Sequence, residues 1–153
     1  MMVKRKDTKL ESEGAEFLVL GNLLLQRIPS YRTYTNMPGY DLVATNPEKN
    51  LSVKIQVKSR YRSDWDGFII KNLDSDFVVF VALNRGFSRP RKNGESGIQD
   101  PDYYIFPIKY IKKVRNENNS WGKITKSSLI NKEQFIDNWD LIKEKLAMLQ
   151  TEE

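Results

Sequence analysis

Apolar and polar positions alternate most cleanly between residues 51 and 58. Leu51, Val53, Ile55 and Val57 occupy one face of an extended chain; Ser52, Lys54, Gln56 and Lys58 occupy the other. A shorter apolar run precedes this stretch across the turn-like NPEKN of residues 46–50, so residues 39–59 predict a β-hairpin. Upstream, apolar residues recur at three and four over residues 8–28, with Phe17, Leu20, Leu23 and Leu24 on one stripe, and predict a helix. The segment between helix and hairpin, IPSYRTYTNMPG, reads as a loop or short edge strand. After the hairpin, RYRSDWDG is a turn-rich link and FIIKNL is ambiguous between strand and helix. DFVVFVALN (76–84) has the length and continuous apolarity of a central strand buried on both faces.

A Gly/Pro-rich loop over residues 85–101 leads to another strand, DYYIFP, and then to a short helix starting at Pro107. Phe135, Ile136, Trp139, Ile142, Leu146 and Leu149 predict a last helix over residues 131–150. Helix, hairpin, strand, strand, helix describes one α/β domain over residues 1–153, with its core at about 8–115 and a central mixed sheet flanked by helices.

Composition narrows the chemistry. At 153 residues with 39% hydrophobic content, the chain can bury a sizeable core. It contains no cysteine and no histidine, which excludes disulfides, thiolate or imidazole zinc sites and every Ser-His or Cys-His nucleophile. Acid–base work falls to carboxylates, lysine, tyrosine or an ion-activated water, and any metal must be oxygen-ligated, as magnesium or manganese prefers. The net charge is +5; residues 132–153 hold three lysines and six acids, so residues 1–131 carry +8. A cationic body suits a polyanionic partner, or simply solubility. There is no signal-like or membrane-spanning apolar run, and a cytoplasmic location is expected.

The polar residues of the hairpin carry the chemistry. Gln56 and Lys58 are two apart and share a strand face, and Asp41 opens the neighbouring strand. Glu16 precedes Leu20, Leu23 and Leu24 by four, seven and eight residues, so it lies on an apolar stripe, where a carboxylate is costly unless paired or metal-bound. These four groups are expected to converge between helix and sheet. Two carboxylates with a backbone carbonyl can hold a hard cation, and an adjacent lysine can handle a proton or neutralise a phosphate.

The order Glu16, GYD with Asp41, then IQVKSR with Gln56 and Lys58 resembles the PD-(D/E)XK, or restriction-endonuclease-like, nuclease superfamily. EGAEFLVLGNLL ahead of GYDLV is similar to Holliday-junction resolvases, Mrr-type restriction enzymes and a PD-(D/E)XK homing endonuclease; the resemblance spans about residues 11–83. It implies a restriction-endonuclease-like core and a Mg2+- or Mn2+-dependent endonuclease hydrolysing DNA phosphodiesters in homing, restriction or junction resolution. In that scheme Glu16, Asp41 and the Val57 carbonyl bind metal, Gln56 orients water or ligates weakly, and Lys58 activates water. Cutting both strands of a duplex with one small domain calls for a homodimer or higher oligomer. The chain departs from the common pattern in having Tyr40 where a proline is usual and Gln56 in place of an acid. The alternative readings are a catalytically inactive nuclease fold that binds nucleic acid or a protein, and structural ion pairs in an unrelated α/β protein.

Arg60 and Arg62 beside the motif, and Arg85, Arg89, Arg91 and Lys92 in the long loop, are the candidate DNA contacts; each is equally readable as solvated surface. Glu11 and Glu13 suit a helix N-terminus or could second Glu16. Trp121 and Trp139 read as packing, and Lys54 as contacting backbone or solvent.

Overall fold

Ala15, Val19 and Leu23 lie four apart and are fully buried, which docks helix α1 (Lys9–Leu25) onto the sheet. This is seen in a computed structural model that describes residues 8–34, 39–89, 91–116 and 121–149. The helix ends three residues before the expected Ile28. Arg27 takes a left-handed φ of 62°, its N–H bonds Leu24 O, and the Ile28 N–H returns to Leu23 O at 3.0 Å. This is a Schellman turn, with Ile28 buried behind it.

The strands are β1 (Ser30–Arg32), β2 (Leu42–Asn46), β3 (Leu51–Arg60), β4 (Gly67–Ile69), β5 (Phe77–Ala82), β6 (Asp102–Pro107) and β7 (Lys123–Thr125). The main sheet runs β1-β2-β3-β5-β6. Only β3 and β5 pair in parallel; the other neighbours are antiparallel. The predicted hairpin is thus β2–β3, the predicted edge strand is β1, and DFVVFVALN supplies β5, buried along its whole length. Residues 35–38 of the connecting segment lie outside the described residues.

Alternation along β5 explains why both its faces are buried. Phe77, Val79 and Val81 join Ala15, Val19, Leu23, Leu42 and Ile55 in the core beneath α1. Val78, Phe80 and Ala82 face the opposite core, with Trp65, Phe68, Phe106 and Ile111. That second core is capped by helix α2 (Ile108–Asn116), which begins directly after Pro107 as expected, and by a small β4–β7 sheet. FIIKNL therefore starts as a strand, Phe68 and Ile69, and continues as irregular chain. Gly67 opens the strand, because a Cβ there would stand 2.2 Å from Ile124 O.

The expected helix over residues 131–150 is the largest departure. A 3-10 turn (Lys132–Phe135) is followed by a short helix α3 (Asp140–Lys145), separated by Asp137 at φ 50°. The intervening Ile136 bridges Tyr104, and the Asp137 N–H donates to Tyr103 O at 2.8 Å, so the chain runs briefly along the edge of β6. The reason lies in the packing. Phe135 fills the core beneath α2, whereas Trp139, Ile142 and Leu146 fill the core beneath α1. One straight helix cannot serve both faces of a sheet. Among the described residues no helix is long and apolar enough to cross a membrane.

Candidate active site

The register of the hairpin creates a fork. Leu42, the first residue of β2, pairs with Ile55, and β3 continues past it to Arg60. The Val57 N–H, left without a β2 carbonyl, donates to Asp41 Oδ2 at 2.7 Å. A strand residue directs its N–H and C=O to the same edge, so the Val57 carbonyl turns toward the same opening. The Asp41 backbone is held on both sides: its N–H donates to Ile55 O at 2.8 Å, and its carbonyl accepts from the Thr33 N–H at 3.0 Å. Just upstream, Gly39 turns the chain with φ 92°, a conformation that favours glycine. Tyr40, where proline is usual in the resembled pattern, lays its ring 5.0 Å from the Lys54 ammonium. Lys54 is thus an exposed residue on an aromatic face, outside the fork.

The fork opens into a cleft of about 380 Å³ lined by Ser12, Glu16, Asp41, Gln56, Val57, Lys58, Ser59, Arg60, Phe68 and Ile69. The four groups expected to converge are therefore brought together, Glu16 from α1 and the others from the strand fork. The Glu16 pKa is pushed up from 4.5 to about 7. Burial contributes most and the Asp41 charge next, while Arg32 pulls the other way. Burial likewise lowers the pKa of Lys58, with Asp41 opposing that shift. Gln56 Oε1 is buried without a hydrogen-bond partner, an acceptor that the described polypeptide leaves unsatisfied.

Among the described residues no three carboxylates, histidines or cysteines are placed to hold one metal ion together. A cation here would have two carboxylates and would complete its shell with neutral oxygens. The donors present fit that demand: Glu16, Asp41, the orphaned Gln56 Oε1 and the Val57 carbonyl are all oxygens, the set a hard divalent ion takes.

Arg32 is the charged neighbour of Glu16 that sequence reasoning misses. From β1 it reaches Glu13 at 3.6 Å and Glu16 at 3.8 Å, and its guanidinium lies 4.4 Å from the centre of the Phe17 ring. A lone cation in a three-residue edge strand gives no periodic signal; only the register Arg32↔Leu42, next to Asp41, reveals it. Glu13 is accordingly a partner of Arg32 rather than a lining residue of the cleft.

The candidate DNA contacts divide. Arg60 lines the cleft, and Arg62 lies 5.4 Å from the Tyr61 ring. Arg85 braces its own loop, donating to Leu83 O and Gln99 O. Arg91 stacks on Phe87 at 4.2 Å, and Arg89 and Lys92 are exposed. Trp139 is core, as expected, but Trp121 is 77% exposed.

No protein-family profile and no curated protein sequence matches the chain. Among solved structures, a bacterial homing endonuclease, I-Ssp6803I, is similar, with a TM-score of 0.58 and 20% identity over 94% of this chain and 96% of that one. The two share a fold: a mixed α/β domain with a central mixed sheet flanked by helices.

Proposed function

We propose that the chain is a magnesium- or manganese-dependent endodeoxyribonuclease of PD-(D/E)XK type, acting on duplex or branched DNA as a homodimer or larger assembly. One observation carries this reading: two carboxylates, an orphaned amide oxygen and a partly desolvated lysine share one cleft. The fold likeness to a homing endonuclease supports it but does not carry it, because one fold hosts many functions.

Glu16, Asp41, Gln56 Oε1 and the Val57 carbonyl would hold the cation, which when bound supplies positive charge against the phosphoryl oxygens and acidifies a water. Asp41 is positioned for this by the Val57 N–H, which fixes one carboxylate oxygen. Lys58, with its lowered pKa, is suited to accept a proton at Nζ from the attacking water, or when charged to neutralise a phosphate oxygen. Arg60, at the rim of the cleft, would hold a neighbouring phosphate.

The second reading, a nuclease fold that grips nucleic acid without cutting it, draws on the missing third acid. Plasmid and branched-substrate nicking, run beside calorimetric magnesium titration, separates the two. The unmodified chain should bind the ion and nick DNA; Asp41→Asn should lose both, and Lys58→Met should lose nicking alone. A chain that neither binds a divalent ion nor nicks any DNA form would hand the function to the binding module.

A further inference from the structure

Helix α1 has two apolar faces, and the sheet uses one of them. Ala15, Val19 and Leu23 are buried, whereas Leu10, Phe17, Leu18, Leu24 and Leu25 on the far side are 80%, 52%, 39%, 51% and 84% exposed. With 3.6 residues per turn, these five and Gly14 and Gly21 fill one arc of about 120° that no charged residue of the helix interrupts, with Arg32 of β1 lying over Phe17 at its edge. A Cβ placed on Gly14 or Gly21 would meet nothing within 4 Å. Two glycines on an exposed helix face weaken the helix, and here they leave open notches between ridges of leucine and phenylalanine. A solvated helix has no use for such a surface.

We infer that this face binds a second copy of the chain, helix against helix and antiparallel. The five exposed side chains leave roughly 500 Å² per copy, so a pair would bury about 1,000 Å², the lower bound for a specific interface. The helix dipoles select the orientation. A parallel pair sets like helix ends side by side, whereas an antiparallel pair opposes the dipoles. A two-fold axis between Phe17 and Leu18 then faces Leu10 with the partner's Leu25, Gly14 with the partner's Gly21, and Phe17 with the partner's Leu18. Glu16 lies on the same helix, so the interface would reach the cleft through one rigid element. The surface argument itself does not depend on the nuclease reading.

Sedimentation velocity on the full chain, without DNA or divalent ion, tests this. The unmodified chain should sediment as a dimer at micromolar concentration. Leu10→Glu/Leu25→Glu should sediment as a monomer with an unchanged circular-dichroism spectrum, since both positions are exposed in the single chain. Leu10→Glu/Leu25→Lys should restore the dimer, because antiparallel packing puts each glutamate beside the partner's lysine. A monomeric unmodified chain would overturn the inference and assign the face to another occupant, such as residues 1–7 or a different protein. A dimeric double-glutamate variant, or a monomeric glutamate/lysine variant, would overturn it as well. Failure here leaves the proposed cleavage untouched, and failure to nick DNA leaves the dimer untouched.

Discussion

Replacing Glu16 by glutamine should make the protein more stable at pH 8 and leave it nearly unchanged at pH 5. The folded-state pKa of Glu16, about 7, lies above its ordinary 4.5. The folded chain therefore holds this proton more tightly than the unfolded chain does. The resulting stabilisation is fully present below pH 4.5 and is lost as pH rises through 7. At about 1.4 kcal/mol per pKa unit the loss between these limits is bounded at about 3.5 kcal/mol. The side chain keeps 21% of its surface in solvent, and Arg32 stands beside it, so the working figure is about 1–2 kcal/mol. Glutamine has nearly the same shape and carries no charge at either pH. The assay is urea unfolding at pH 5 and pH 8 with a chelator present. The chain has no histidine, so few other groups titrate in this window. Adding magnesium at pH 8 should stabilise the parent and not the variant, because the ion offsets a Glu16 charge that glutamine lacks. Equal stability differences at both pH values would refute the reasoning, by showing that Glu16 is already ionised without strain.

Gln56→Glu should tighten magnesium binding by about tenfold at pH 8, since it adds a charge where an unpaired oxygen already stands; calorimetry showing no gain would place Gln56 outside the ion's reach. Arg89, Arg91 and Lys92 replaced together by alanine should flatten the salt dependence of duplex binding by about 2–3 units of slope. Arg85 is left in place, because its loss would unpin the loop rather than report on phosphate contact.

The hairpin and β5 were legible in the sequence because their burial follows directly from local period: alternation for one, an unbroken apolar run for the other. Glu16, Asp41, Gln56 and Lys58 were legible as a group because spacing places them on the same side of their elements, and the cleft contains all four. Helix α1 was only half legible. A spacing of three and four counts Phe17 and Leu24 as core, but a helix that is apolar on two faces does not reveal which face the sheet takes, and here it takes Val19 and Leu23. The carboxy-terminal segment misleads for a related reason. Its spacing fits a helix, yet Phe135 and Trp139 belong on opposite faces of the sheet. Arg32 and β7 escape detection because a three-residue strand is shorter than any window in which a period can be seen.

The burial of β5 on both sides has a consequence for how the chain is made. Between Asp76 and Arg85 there is no charge and no proline, only Phe77 to Leu83 and then Asn84. Such a stretch, released into water, pairs readily with copies of itself. The chain answers with order of synthesis and a gatekeeper. Strand β3 is translated first and is already waiting as a template when β5 emerges. Asp76 then locks the start of the parallel pairing, its N–H donating to Lys54 O at 2.8 Å while its Oδ2 accepts from the Lys54 N–H at 2.7 Å. Removing that aspartate would show itself first as inclusion bodies and lost yield, before any change in the finished protein's chemistry.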